Sequence, residues 1–271
     1  MKAMITAQRV NHRDLGPHLP GTSSTEAKKR RVQRAVHDEQ LTAQVYLALL
    51  LAHLPPGKIL MGLDRTTWEH GESPLNLLVL GAFIHGFTIP LYWVALDHTG
   101  NSDTRARMWV VSKLLEALAA RRWKGGLVTD REFIGAEWFR FLRRKGILQA
   151  VRIRKDTVLD ELFADERFQD LQPGQFRIIA EKTQVFGERM WVVATRSPAG
   201  DLVIIATDFA VWETWKLHGL RWTIECTFKF AKDAGIRSGA HWSHGQEAPE
   251  ALVRARHFGE VNLLASGDLA P

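Results

Sequence analysis

Residues 125–133 read GGLVTDREF: an apolar run behind two glycines that ends in an acid, Asp130, and then turns polar. Such a run reads as a short buried strand whose last residue carries a carboxylate to the sheet edge. Its flanks decide the fold. Upstream, TRARMWVVSKLLEALAARR (104–122) places apolar residues at helical spacing, with Ser102 or Asp103 as its cap and Gly125-Gly126 as its stop. Downstream, GAEWFRFLRRKG (135–146) is a second helix and ILQAVRIRK (147–155) a further strand. Strands that return after helices call for an α/β fold with a mixed sheet covered on both faces.

Further out, KILMGLDRTTW (58–68) is an apolar strand ending in Asp64. LNLLVLGAFIHGFTIP and PLYWVALDHTG (75–100) follow as two more strands, joined near Thr88 to Pro90, giving an antiparallel meander. Residues 156–205 break the alternation. LQPGQFRIIAE, RMWVVATRS and DLVIIATD read as strands between Gly, Pro and Asp turns, a β-rich insertion ahead of the last helix, Val211 to Lys232, in which Gly219 is a weak point. The expected organisation is a basic arm and helical region over 1–55, with a helical pattern from Ser24 to His53 stopped at Pro55-Pro56-Gly57. A core over 56–155 and 206–235 follows, interrupted by the insertion at 156–205. An atypical tail, truncated or frameshifted, occupies 236–271.

The composition narrows the partners. The chain has 271 residues, 45% of them hydrophobic, enough for a sizeable core, and a formal net charge of +6. The cations cluster: Lys28, Lys29, Arg30, Arg31 and Arg34 fall in seven residues, and 140–146 and 152–155 add two further groups. Each cluster alone is a solvated face; three together in a basic chain point to nucleic acid. Cys226 is the only cysteine, so no intrachain disulfide forms, which fits a reducing cytoplasm. No apolar stretch is long enough to span a bilayer, and no membrane partner is expected.

The chemistry lies in the acids. Asp64 and Asp130 each close an apolar strand, and adjacent strands lie about 4.8 Å apart, so the two carboxylates can share one cation. In HGLRWTIECTFKFAK (218–232), Arg221, Glu225 and Lys232 fall within about 40° on a helical wheel. Alone, that is an exposed salt-bridged helix. A helix packed at the rim would instead make Glu225 a third ligand. Three hard oxygen donors favour Mg²⁺ or Mn²⁺ over zinc, and two ions about 3.5–4 Å apart would activate a water or 3′-hydroxyl against a phosphodiester.

These blocks, LDRTTW, the meander, TDREFIGAEWF and RWTIECTFKFAK, resemble the Asp-Asp-Glu transposases of bacterial insertion sequences. The similarity is to the branch (insertion sequence four) marked by a Tyr-Arg-Glu-Lys signature, and it extends over 59–232. The resemblance implies a ribonuclease-H-like fold with a β-rich insertion. It implies metal-dependent strand cleavage and transfer at the element's own ends, a homodimer on terminal inverted repeats and target DNA, and a bacterial cytoplasmic, nucleoid-associated setting. It makes Asp64, Asp130 and Glu225 the metal ligands for two Mg²⁺ or Mn²⁺ ions, and Arg221 and Lys232 contacts to DNA phosphate. The signature tyrosine position is His218, which can stack or bond a phosphate oxygen. The alternatives are an inactive DNA-binding remnant and a metal-dependent nuclease of the same fold.

Secondary expectations attach to other residues. Asp97 caps the turn into the next helix, and Asp208 caps the last one. Glu132 forms a surface salt bridge or orients a ligand. His241 and His244 have zinc-like spacing without a second pair, so no zinc site is expected. Trp191 is either a half-buried strand residue or a stacking surface for an extruded base.

Overall fold

A computed structural model describes residues 15–36, 43–54, 57–70, 73–118 and 124–232. The helices are α1 (Thr25–Val36), α2 (Ala43–His53), α3 (Thr104–Leu118), α4 (Ala136–Arg144), α5 (Ala164–Arg167), α6 (Thr214–Leu220) and α7 (Trp222–Ala231). The strands are β1 (Lys58–His70), β2 (Ser73–Ile84), β3 (Phe87–Leu96), β4 (Lys124–Thr129), β5 (Leu148–Ile153), β6 (Val158–Leu159), β7 (Leu162–Phe163), β8 (Phe176–Ile178), β9 (Thr183–Val185), β10 (Glu188–Arg196) and β11 (Leu202–Thr207).

They form one mixed sheet in the order β3-β2-β1-β4-β5-β11-β10-β9-β6-β7, with β8 also on β10. β1, β2 and β3 pair antiparallel as the meander predicts, and β4 runs parallel to both β1 and β5. Side chains alternate across a strand. Met61, Leu63, Leu127, Val151, Val192 and Ile204 therefore bury on one face with residues of α2, α3 and α4. Leu77, Val79, Val128, Ala150 and Ile205 point to the other face, where α6 and α7 pack. The result is an α/β sheet flanked by helices.

Local details depart from expectation. β1 does not end at Asp64; it runs on to His70 on the arm of β2. The β2–β3 turn falls at His85-Gly86, not at Thr88–Pro90. Both residues have positive φ (48° and 82°), the backbone of a tight two-residue hairpin. Pro90 sits within β3, the sheet's edge strand, where the register shifts against Leu80/Gly81, a place that tolerates a missing N–H. Gly125 and Gly126 stop no helix. They lie inside β4, and a Cβ at Gly126 would run into the Phe209 ring, so glycine lets that ring close on the strand.

The expected single helix over 211–232 is two, with the junction at Arg221. Arg221 itself keeps helical dihedrals, and the Thr223 hydroxyl bonds the Leu220 carbonyl at 2.7 Å across the junction. Such back-bonding bends helices. Asp103, not Asp97, caps α3, its carboxylate accepting the Ala106 N–H at 2.7 Å; Asp97 pairs with His98. Asp208 caps nothing. It accepts Arg143 and the Gln149 N–H, while α6 begins at Thr214 without a side-chain cap. The atypical tail and the pair His241 and His244 lie outside the described residues.

Candidate functional site

Leu63 and Leu127 point into the α3/α4 face, so the next residue on β1 and the third after Leu127 point to the opposite one. Those residues are Asp64 and Asp130. The β1–β4 ladder ends at Leu63 against Thr129, which sets the two acids side by side just past the last paired residues. α7 comes to the same face. Its Ile224 and Phe228 bury against Leu77, Val79 and Ala95. Thr223 shares a 2.6 Å hydroxyl contact with Thr88, and the Thr227 hydroxyl donates to the Thr88 carbonyl at 3.2 Å. With Ile224 inward, Arg221 and Glu225 turn toward the strand acids.

The three carboxylates converge on one guanidinium. Arg221 Nη1 lies 2.6 Å from Glu225 Oε1, 3.6 Å from Asp64 Oδ2 and 3.9 Å from Asp130 Oδ2. Asp64 also accepts the N–H of Arg65 at 2.8 Å. Burial nevertheless pushes the Asp64 carboxyl up to about 6, against the lowering effects of that N–H and Arg221, with Glu225 and Asp130 adding repulsion. Asp130 Oδ1 is buried and accepts no hydrogen bond.

His218, on the last turn of α6, also reaches this neighbourhood. Burial, then the positive charges of Arg221 and Arg152, push it down to about 4, with Asp130 pulling the other way. It is a neutral imidazole at physiological pH. Arg152 was legible only as part of a basic cluster. It shares the α6 face with Ala150, one strand over from Asp130, and makes no ion pair among the described residues. Strict alternation along LQAVRI, read with Ala150 inward, would have found it.

Other expected residues are not brought to the acids. Lys232 caps α7, about 10 Å along the axis from Glu225 at 1.5 Å per residue. Trp191 pairs with Thr207 on β10, three strands from β4 and thus roughly 14 Å across the sheet. Lys28, Lys29, Arg30 and Arg31 lie on α1, where Lys29 pairs with Glu26 and Arg31 with the Pro20 carbonyl.

Among the described residues, no three His, Cys, Asp or Glu side chains stand close enough as they lie to hold one metal ion. The donor types still suit a hard divalent cation: all three carboxylates lie within 3.9 Å of Arg221 Nη1, and Asp130 Oδ1 has a buried, unused lone pair. Arg221 Nη1 stands between them.

The family of proteins described as transposase DDE domain matches residues 57–253, most of the chain. The chain belongs to that family. Comparison with curated protein sequences finds no match for the chain. Among solved structures it is similar to a piggyBac transposase in a synaptic complex with hairpin DNA (TM-score 0.42, 10% identity), with 89% of this chain covered. It spans 61% of that chain's length. It is also similar to the endonuclease V of Bacillus subtilis (TM-score 0.30, 10% identity, 90% of this chain and 94% of that one). A third likeness is to human ENDOV (TM-score 0.32, 14% identity, 83% and 98%). No helix among the described residues is long and apolar enough to cross a membrane.

Proposed function

We propose that this transposase cuts and joins DNA strands at the ends of its own insertion sequence, in the branch bearing the Tyr-Arg-Glu-Lys signature. One observation carries the reading: Asp64, Asp130 and Glu225, from two strands and a helix, meet at a single cation. The strand order β3-β2-β1-β4-β5 supports a ribonuclease-H-like core over 56–155 and 206–235. In this reading 156–205 is the insertion, and its strand β10 and most of β11 prolong the core sheet.

Asp64, Asp130 and Glu225 would hold Mg²⁺ or Mn²⁺, two ions in this reading. Bound metal would supply Lewis acidity at the phosphodiester and lower the pKa of an attacking water or 3′-hydroxyl. The chain's own groups do the rest. Arg221, turned from the acids to a phosphate oxygen, offsets charge developing there. Arg152 offers a second guanidinium on the same face, in the forked geometry suited to phosphate. Neutral His218 would donate a hydrogen bond to a DNA phosphate oxygen without adding charge. Lys232 meets the strand further along α7. Trp222, exposed directly after Arg221, offers a stacking surface nearer the acids than Trp191. The α1 cations add salt-dependent affinity for terminal repeats and target DNA. Two copies would pair the element's ends in a synaptic complex.

Cleavage of labelled terminal-repeat DNA with Mg²⁺ tests this. The wild-type chain is expected to nick the repeat end and Asp130→Ala to leave it intact. Equal cleavage by both would remove Asp130 from the site, and specific binding with no cleavage at any metal concentration would favour the inactive remnant. Equal cutting of DNA without repeats would favour a general nuclease.

A further inference from the structure

The parallel β1–β4 ladder stops at Leu63 and Thr129, one residue short of both acids. Beyond it β1 continues on β2, while the chain after Thr129 leaves the sheet in a turn closed by the Phe133 N–H on the Asp130 carbonyl at 2.9 Å. The ladder between the two strands therefore does not fix the distance from Asp64 to Asp130.

Side chains span that gap. Arg65 Nε donates to Glu132 Oε2 at 3.3 Å, and only 22% and 15% of the two side chains are exposed. This corrects the expectation of a surface salt bridge at Glu132. The other carboxylate oxygen accepts the Ser102 N–H at 2.8 Å and the Ser102 hydroxyl at 2.9 Å. Buried Arg107 donates to the Ser102 hydroxyl at 2.9 Å and to the Ser102 carbonyl, and its guanidinium stands 5.1 Å over the Phe133 ring. On the opposite flank, Arg65 Nη1 donates to Asn76 Oδ1 at 3.1 Å. The Asn76 amide in turn donates to the His98 and Gly100 carbonyls at 2.8 and 3.1 Å. The residue after Asp64 and the second residue after Asp130 are thus joined to each other and to the 98–102 loop.

We propose that the Arg65–Glu132 pair, footed on Ser102 and Asn76, is a brace that sets the separation of Asp64 and Asp130 and with it their ability to share a divalent cation. This rests on the metal-site reading above. Arg65 shares the face of Leu63, opposite to Asp64, so the brace side chains are positioning residues that hold the ligands from behind. Arginine suits the task because one planar fork reaches Glu132 and Asn76 together; lysine has a single point of charge.

The test measures Mn²⁺ binding by titration calorimetry, together with kcat and KM on terminal-repeat DNA, at a temperature where every variant is folded. Glu132→Gln and Arg65→Ala are expected to weaken Mn²⁺ binding by about 10–100-fold and to lower kcat with KM for DNA unchanged. Arg65→Lys is expected to recover part of that loss, and Ser102→Ala, which keeps the N–H footing, to lose least. A Glu132→Gln protein with a lower melting temperature but wild-type Mn²⁺ affinity and kcat overturns the brace and leaves a mere structural bond. Asp130→Ala separates the two ideas. If it binds Mn²⁺ as the wild type does, the metal-site reading fails and the brace fails with it. If it loses Mn²⁺ while Glu132→Gln keeps it, only the brace fails.

Discussion

The site has two halves held in different ways. Asp64 stands within β1 and Asp130 just past the end of β4, with Leu63 and Leu127 fully buried behind them and side-chain bonds tying their flanks. Glu225 stands on a ten-residue helix bent at its start, seated by Ile224, Phe228 and two threonine hydroxyls. Ladder bonds hold the strands beneath the two aspartates, and the Arg65–Glu132 bond ties their ends together; a few contacts hold the second half. Stability is not uniform across a fold, and elements with few buried contacts open first. The strand acids thus form the firmer platform, and the helix delivers the third acid and Arg221 together. Any adjustment of the site then comes from the helix side.

The largest expected effect treats both halves alike. Asp64→Ala, Asp130→Ala and Glu225→Ala are each expected to lower strand cleavage by about a thousandfold or more, the upper range for losing one group that stabilises transition-state charge. Single-turnover rates on a nicked-end substrate check this. If Glu225→Ala retained substantial activity while the aspartates did not, the helix would be support for the platform and not a part of it.

Next in size is a substitution that attacks the helix and spares the platform. Ile224 is fully buried between α7 and the sheet. Ile224→Ala is expected to cost about 2–4 kcal/mol of stability, by lost burial plus the cavity left behind. Amide exchange should show the loss concentrated in α7, with β1 and β4 still protected. Loosening spread equally through both would break the proposed division.

The two halves were also unequally legible. ILMGLD and GGLVTD announce the platform because a buried strand is a local pattern, and the order of strands and helices around them follows from the same pattern. What escaped is whatever non-local contacts decide. β1 outlasts Asp64 because β2 lies beside it, though Arg65 to His70 look polar alone. Gly126 is paired into β4 by its neighbours β1 and β5, and it is glycine there because the Phe209 ring fills the space of a side chain. The break at Arg221 depends on a threonine bonding back to Leu220, and Arg152 is placed by its partner strands. Glu132 reads as a surface acid until Arg65 and Ser102, distant in the chain, are brought to it.

A smaller effect probes the threonine seat of the helix. Thr223→Val removes both the Thr88 contact and the bond to the Leu220 carbonyl and is expected to cost about 1–2 kcal/mol. Thr88→Val removes only the shared contact and should cost about 1 kcal/mol, the usual net worth of one such bond. The two should be non-additive in a double-mutant cycle by about the worth of that shared contact. Full additivity in urea unfolding would mean that the hydroxyls act through other partners, and the helix would need another explanation for its position.

The smallest effects differ in sign, which makes them the sharpest comparison of platform with helix. Asp64 is a mostly buried carboxylate that shares its guanidinium at 3.6 Å with two other acids. Burial outweighs its favourable partners, so the charge costs stability in the folded state. Asp64→Asn keeps an acceptor for the Arg65 N–H and removes the charge. In metal-free buffer at neutral pH it is expected to stabilise the protein by about 1 kcal/mol while abolishing cleavage, the exchange of stability for function common at active sites. Glu225 is more exposed and holds Arg221 at 2.6 Å in an i,i+4 pair. Glu225→Gln removes a favourable partner instead, and is expected to destabilise by no more than about 0.5 kcal/mol, less in high salt. Urea midpoints of the two variants in EDTA decide the matter. Opposite signs would mark a platform strained by its charges and a helix stabilised by its own. A shared sign would mean that the three acids form one electrostatic unit, with no platform and no separate helix.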